Sequence, residues 1–394
     1  MEVQIADWLS LIVRWLHIIF GAAWIGTSFY FNWLNNHVRP VESGPTPEGV
    51  EGELWSVHGG KFYQVVKYQV APPRLPKTLH WFKYEAYFTW LSGFALLAIV
   101  YYLEPSAYLI DSQVRALHPH LAITLGVGTL LVGWVVYHYL CKSPLARFPV
   151  FFSLLGFALM TGVAFGLTQV FGSRAAYIHV GALIGTMMAW NVFFVIIPNQ
   201  KKTVAAMEKG EAPDPSLGKA GAQRSLHNNY FTLPVLFIMV SNHYPMTFGH
   251  EWNWAILAAI ALIGAGVRHW FNLRGQGEKN VWILPAAAVA MVALALVSAP
   301  RTQAYEGEAT FAMVQDIVAR RCVECHAENP ASELFVAPPQ GVMFEDPQEI
   351  EDRASLIYEQ VVVTRQMPLS NLTGMTDEER AIIGAWYRRG AQRD

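Results

Sequence analysis

Eight long apolar runs follow one another along the first three quarters of the chain. They cover residues 9–31, 84–103, 121–141, 148–171, 177–198, 231–248, 254–272 and 281–299. Each run approaches the ~20 residues with which an α-helix crosses the hydrocarbon core of a bilayer. A single run could be a buried helix of a soluble protein, but eight in succession predict a polytopic membrane bundle of eight transmembrane helices. The sixth run is the weakest, because Pro234, Asn242 and His243 interrupt it.

The pattern changes after Pro300, where charged residues become common and the apolar runs shorten. We therefore expect an all-α chain of two parts, a membrane domain at 1–300 and a small soluble helical domain at 301–394. Residues 310–321 predict one helix of the second domain, and the capping-box pattern that starts at Thr376 predicts another that runs to residue 389. In the long loop after the first run, Gly59 and Gly60 separate two β-prone segments and predict a hairpin.

Composition and charge agree with a membrane protein. Hydrophobic residues make up 53% and charged residues 15% of the chain, against about 25% charged residues in typical soluble domains. If the N-terminus lies outside, the inner loops hold fifteen Lys and Arg residues and the outer loops hold two, as the positive-inside rule requires. The first eight residues contain no Lys or Arg, so we expect the first run to stay in the membrane rather than to act as a signal peptide. No basic patch indicates binding to nucleic acid.

One motif carries specific chemistry. Cys322, Cys325 and His326 form C-x-x-C-H, the pattern to which a c-type haem is attached through two thiols while the histidine ligates the iron. A structural zinc site would need a second pair of ligands, and none follows. A redox C-x-x-C would need a βαβ context, which is absent from the pattern. The third cysteine, Cys141, lies in an apolar run and is expected to be inert.

Met367, followed by Pro368, is the expected sixth ligand of the haem iron, and Met343 and Met375 are its rivals. A His/Met ligand pair raises the haem potential, as suits an electron acceptor. The second domain resembles a class I cytochrome c, in which the C-x-x-C-H helix crosses a C-terminal helix and a Met-Pro loop closes the other haem face. The resemblance rests on the motif, on residues 367–371 and on residues 386–390.

The membrane part resembles the N-terminal domain of the membrane-bound urate oxidase (urate hydroxylase) family, which is fused to cytochrome c. The resemblance is carried by residues 14–26, 79–90, 179–200 and 223–234. It covers essentially the whole chain. These stretches are typical of the family but dictate no chemistry by themselves.

The resemblance implies oxidation of urate to 5-hydroxyisourate, with electrons passed to the haem and then to a soluble cytochrome c or a terminal oxidase. Ionisable residues inside or beside membrane spans are costly and indicate function. On that ground the expected catalytic residues are Arg14, His17, His80, Glu85 and His227.

Purine breakdown is cytoplasmic, whereas the haem c is expected on the outer side, across a hydrocarbon core about 30 Å thick. Either urate enters the bundle deeply, near Arg14 and His17, or a second haem lies in the membrane. We therefore predict a possible b-type haem with His17 as one ligand and His179 or His243 as the other.

Attachment of haem c occurs on the outer side of bacterial membranes, so we expect a bacterial inner-membrane protein whose N-terminus and cytochrome domain face the periplasm. Two other functions fit the sequence less well. A relay subunit from quinol to cytochrome c explains the haem and the histidines, but not the long inner loop at residues 32–83. A transporter with a tethered haem explains only the Pro and Gly breaks in the sixth run.

Overall fold

The computed structural model describes residues 2–42, 46–299, 305–332 and 334–393, and helices dominate this part of the chain. The helices up to residue 299 are α1 (Glu2–His37), α2 (Tyr84–Leu97), α3 (Pro105–Tyr108), α4 (Pro119–Lys142), α5 (Pro149–Thr168), α6 (Ser173–Asn191), α7 (Ile197–Glu208), α8 (Pro215–Ser241), α9 (Pro245–Phe248), α10 (Asn253–Gly275) and α11 (Ile283–Val297). The strands are β1 (Val50–His58) and β2 (Lys61–Tyr68). After residue 305 follow α12 (Phe311–Arg321), α13 (Pro347–Asp352), α14 (Ala354–Ile357) and α15 (Asp377–Arg388).

Five helices among the described residues are long and apolar enough to cross a membrane. They are Trp8–His37, Pro119–Lys142, Pro149–Thr168, Ser173–Glu208 and Asn253–Gly275. The fourth is α6 and α7 joined by a π-helical turn, Val192–Ile196. Helices that are long and apolar enough to cross a membrane therefore account for five of the eight apolar runs.

The other three runs are also helical, but each is shorter or interrupted. Run 84–103 forms α2 and a following π-helical turn, Ala98–Tyr102. Run 231–248 is divided between the end of α8 and the single turn of α9. Run 281–299 contains only the 15 residues of α11. The count of eight spans therefore stays a prediction.

Three local predictions are confirmed. β1 and β2 form an antiparallel hairpin that turns at Gly59 and Gly60, both of which have positive φ angles that suit glycine. Thr310 caps α12 through its side chain. Thr376 and Glu379 form a reciprocal capping box at the start of α15.

α6 is the central helix of the bundle, and it packs against α4, α5 and α8. Its Gly181 lies so close to α8 that an added Cβ would come within 2.5 Å of Ile238, so only glycine permits this approach. The outer helices expose large apolar side chains, including Trp15 and Leu296. Such a surface is unfavourable in water and suits contact with lipid.

A second hydrophobic cluster lies entirely after residue 305 and includes Val314, Ile383 and Trp386. α12 contacts α15 within it, and the rings of Phe311 and Trp386 are 5.9 Å apart. The segment after Met367 contacts the bundle at α3, where Ser370 Oγ donates to the carbonyl oxygen of Ala107 at 2.6 Å. We call this end of the bundle the docking end, and the opposite end, where α1 leads into β1, the hairpin end.

Candidate functional site

The C-x-x-C-H motif forms a tight turn directly after α12. The backbone amides of Cys325 and His326 both donate to the carbonyl oxygen of Cys322, at 3.1 and 2.9 Å. His326 Nδ1 lies 2.9 Å from the carbonyl oxygen of Val342. A carbonyl can only accept, so Nδ1 carries the proton and Nε2 keeps its lone pair. Metal-ligating histidines are commonly oriented in this way, so His326 fits the role of a haem ligand.

Met367 and its rivals lie in different surroundings. Met375 is enclosed in the second hydrophobic cluster, whereas Met367 lies at the rim of that cluster. The buried guanidinium of Arg380 donates through Nη1 to the carbonyl oxygen of Met367 at 2.8 Å and to that of Val361 at 2.5 Å. Arg380 therefore fixes the backbone of the Met367 loop, and a rim position leaves the thioether able to reach a bound group.

The readings of the motif other than haem attachment find little support. Burial raises the pKa of the Cys322 thiol to about 12 and also raises that of Cys325. A catalytic C-x-x-C needs a thiol whose pKa is lowered. Among the described residues there is no group of three or more His, Cys, Asp or Glu side chains that could hold a metal ion. A haem needs fewer protein ligands, because the porphyrin supplies four nitrogens.

A charged pair accompanies the contact at the docking end. Asp111, in the loop after α3, interacts electrostatically with Arg380. Burial raises the pKa of Asp111 and lowers that of Arg380 to about 10. The loop that holds Met367 therefore faces the bundle rather than solvent.

The five residues predicted to be catalytic do not form one cluster. Arg14 and His80 are exposed, while His17, Glu85 and His227 are half-buried. His17 Nδ1 lies 3.0 Å from the carbonyl oxygen of Thr89, and it therefore joins α1 to α2. Only His227 belongs to a larger polar network.

The predicted b-type haem finds an unfavourable site at His179. This fully buried side chain donates from Nδ1 to the carbonyl oxygen of Ala175 at 2.8 Å, and its Nε2 lies 3.0 Å from the Tyr102 hydroxyl. A Cβ at Gly126 would come within 2.7 Å of Nε2. Both ring nitrogens are therefore occupied and no space lies beside them, so His179 does not fit as a ligand. His243 is exposed beyond the end of α8.

A polar network surrounds Arg224 toward the hairpin end, where α4, α6 and α8 meet. Arg224 donates from Nη1 to Asn191 Oδ1 at 3.3 Å and from Nη2 to the carbonyl oxygen of His138 at 3.1 Å. The amide of Asn191 donates to the Tyr137 hydroxyl and to Asn228 Oδ1, each at 2.9 Å.

The Tyr137 hydroxyl lies 2.8 Å from His227 Nδ1. The hydroxyl oxygen accepts from Asn191, and the hydroxyl donates to His227 when Nδ1 is unprotonated. The imidazole also stacks on Phe152, with centroids 5.2 Å apart. His227 is therefore held in one orientation by a tyrosine and a phenylalanine.

Aromatic rings continue from this network into the bundle. The centroids of Trp134 and His138 are 4.8 Å apart, those of Trp134 and Trp190 are 5.2 Å apart, and those of Trp190 and Trp90 are 5.5 Å apart. Trp90 stacks on Phe94, also at 5.5 Å. This row links α4, α6 and α2 inside the bundle.

A second buried arginine, Arg268 of α10, packs against another side of α8. Arg268 donates from Nε to Asn229 Oδ1, and the amide of Asn229 donates to Asn272 Oδ1 at 2.9 Å. The guanidinium covers the ring of Phe29 at 4.3 Å. Its two asparagine partners, Asn229 and Asn272, were not predicted from the sequence.

Arg224 was missed as a site residue, because it stood among the cations of a polar inner loop. The signal that could have found it is the spacing of Arg224 and Asn228, one helical turn apart, at the start of a stretch that becomes apolar. Asn191 carried a similar signal, since it is an amide inside an apolar run.

Comparison with known proteins bears on the same helices. A family model described as urate oxidase N-terminal matches residues 3–299, which include all the helices from α1 to α11. No curated protein and no solved structure matches the chain. The matched span holds both buried arginine networks and ends before the C-x-x-C-H motif. The chain therefore belongs to the urate oxidase N-terminal family, which indicates an oxidoreductase that acts on urate.

Proposed function

We propose that this protein is a membrane-bound enzyme that oxidises urate to 5-hydroxyisourate and passes the electrons to its own covalently bound haem c. From there the electrons would go to a soluble cytochrome c or a terminal oxidase of the respiratory chain. The observation that carries the proposal is the presence of a urate oxidase family domain and a C-x-x-C-H turn in one chain.

The reaction sets requirements for the membrane domain. Urate and water yield 5-hydroxyisourate, two electrons and two protons, so the site must hold an anion and accept protons. An anion in a partly desolvated site needs cationic or hydrogen-bond donor groups. Of the residues predicted to be catalytic, His227 has the best-supported role, that of proton acceptor. The Tyr137 hydroxyl can pass its hydrogen to His227 Nδ1 while it receives one from the substrate side, because a hydroxyl both donates and accepts.

The second domain would hold the haem through thioether bonds to Cys322 and Cys325, with His326 and Met367 as ligands of the iron. The group would supply one-electron acceptor chemistry when bound. The free Nε2 of His326 and the rim position of Met367 fit this assignment. Arg380 holds the Met367 loop in place, and so maintains the ligand that gives a high potential.

For the topology, we propose eight spans in the bacterial inner membrane, with residues 1–300 as the membrane domain and 301–394 as the cytochrome domain on the periplasmic side. The five long apolar helices and the bias of Lys and Arg toward the hairpin end support this arrangement. Labelling of single introduced cysteines with an impermeant reagent tests it. Position 59 should be protected in intact spheroplasts, and position 356 should react.

Electrons must travel from the hairpin end to the docking end. The row of rings from Trp134 to Phe94 shortens each gap that an electron would cross. A b-type haem with His17 and His243 as ligands, which would carry electrons between the same two ends, stays a prediction. A pyridine haemochrome spectrum of the purified protein decides that point, since a spectrum of c-type haem alone would exclude the second haem.

The experiment that tests the function is anaerobic mixing of oxidised, detergent-purified protein with urate while the haem absorption bands are recorded. Prompt reduction by urate is expected. No reduction by urate, together with rapid reduction by a quinol, would instead assign the protein to the relay subunits without a substrate of their own.

A further inference from the structure

We propose that Arg224, together with the ring nitrogens of Trp134 and His138, forms the site that binds the urate anion. The proposal rests on the proposed function and deepens it, because it names the residues that recognise the substrate. None of these three residues follows from family membership, which matches a whole domain without assigning roles.

The first argument is the uncompensated charge of Arg224. Its side chain is only 3% exposed, and its hydrogen-bond partners, Asn191 and the His138 carbonyl, are both neutral. No acidic side chain among the described residues forms a salt bridge with it. A buried cation without a counter-ion is costly. A bound anion would supply the missing negative charge.

The second argument is a set of unused hydrogen-bonding groups beside that charge. Arg224 uses two of its five N–H groups in the bonds described above. Trp134 Nε1 and His138 Nδ1 are buried and have no partner in the part of the chain that the structure describes. Their rings lie one helical turn apart on α4, with centroids 4.8 Å apart and planes inclined by 30°. Buried polar groups are nearly always paired, so these orphaned atoms indicate a ligand.

The chemistry of these groups selects the class of ligand. The indole N–H and the guanidinium can only donate, whereas Nδ1 of the imidazole donates or accepts according to its tautomer. The matching ligand is a flat anion that carries several carbonyl oxygens and ring N–H groups. A purine trione anion has this pattern, and its plane suits stacking on aromatic rings.

The third argument is the position of the proton-accepting pair. The Arg224 guanidinium covers the ring of Tyr137 at 4.9 Å, and the hydroxyl of the same tyrosine contacts His227. Cation, donors and proton acceptor are therefore contiguous, and the row of indoles begins at Trp134. Arg268 lacks this combination, because the tyrosine–histidine pair beside it, Tyr230 and His269, is exposed.

The test is equilibrium binding of urate to the anaerobic full-length protein whose haem has been reduced beforehand and so cannot accept electrons from urate, measured by calorimetry; haem reduction is measured separately on the oxidised protein. Xanthine serves as the comparison ligand, since in mildly acidic buffer it is largely uncharged while urate is still an anion. Arg224→Gln should weaken urate binding roughly 10- to 100-fold, which is the range expected for loss of hydrogen bonds to a charged group. The same variant should lose most of the preference for urate over xanthine. Arg268→Gln, which removes a second buried arginine of the helical bundle, is the matched control.

Trp134→Phe provides a milder test, because it removes an N–H that has no hydrogen-bond partner among the described residues. It should weaken urate binding about 3- to 10-fold, the effect of one neutral hydrogen bond, while the melting temperature changes little. If Arg224→Gln does not fold, Arg224→Lys keeps the charge and should weaken binding less while preserving the preference for the anion.

The outcomes separate the two proposals. Urate binding that is unaffected by the Arg224 variants and by Trp134→Phe, or that is lost only in Arg268→Gln, would overturn the site. A wild-type protein that does not bind urate would overturn it as well. If the wild-type protein binds urate through Arg224 but its haem is not reduced, the site stands and the proposed function fails.

Discussion

Replacing Arg380 with methionine should release the loop that holds Met367, the proposed sixth haem ligand. The side chain is 7% exposed and donates to the carbonyl oxygens of Met367 and Val361. An unsatisfied buried acceptor costs about 1–3 kcal/mol, so two of them cost about 2–6 kcal/mol. Removing a buried charge offsets part of this cost, and we take about 2 kcal/mol as the net effect. Since 1.4 kcal/mol is a factor of ten, the closed loop should be disfavoured about 30-fold.

The assay is a redox titration of the purified protein, combined with the absorption band characteristic of a methionine-ligated ferric haem. The variant should lose most of this band, and its potential should fall, because methionine ligation raises the potential. Arg353→Met is the control: it makes the same change at a surface residue that pairs with Glu349, and it should leave both readouts unchanged. A folded Arg380→Met protein with the wild-type band and potential would refute the role of Arg380.

Three further changes give distinct signatures. Met367→Ala should keep the haem attached but lower its potential, and an unchanged potential would show that another residue is the sixth ligand. Thr376→Ala should destabilise the second domain by about 1 kcal/mol through loss of the α15 cap, whereas Thr376→Ser should restore the melting temperature; equal melting of all three proteins would contradict the capping argument. Asp111→Asn keeps the acceptor for the Gln113 amide but removes a carboxylate whose pKa burial raises. A carboxyl whose pKa is raised in the folded state makes the folded protein less stable when it ionises at neutral pH. The variant should therefore melt higher than wild type at pH 7, and the difference should vanish below the ordinary pKa of 3.8. A lower melting temperature of the variant at pH 7 would mean that attraction between Asp111 and Arg380 dominates.

Local sequence patterns predicted those elements whose stability is local. The hairpin at Gly59 and Gly60 and the capping box at Thr376 depend on residues a few positions apart. The local sequence is therefore sufficient to predict both elements. Five apolar runs became long helices for a similar reason, since composition and length decide whether a helix suits a bilayer. Where a run was divided, as at α8 and α9, the break comes at Asn242 and His243, two of the three residues that interrupt the run in sequence. The third, Pro234, lies inside the helix.

The candidate site depends on contacts between distant helices, and sequence predicted it only in part. His227 was identified because histidines beside a span indicate function, but its partner Tyr137 lies on α4, 90 positions away. Arg224 was counted as a loop cation, because a solvated arginine and a buried one look alike in sequence. Arg14 looked embedded in the first span, yet it is exposed on α1. Burial in the assembled bundle separates these cases, and no local pattern encodes it.

The measurement that tests the central claim most directly is an anaerobic titration of the oxidised protein with urate, in which haem reduction and formation of 5-hydroxyisourate are quantified together. The account predicts that each urate consumed reduces two haems, because the oxidation releases two electrons and each haem accepts one, and that no hydrogen peroxide forms. Consumption of urate while the haem stays oxidised would contradict it, as would haem reduction without formation of the product.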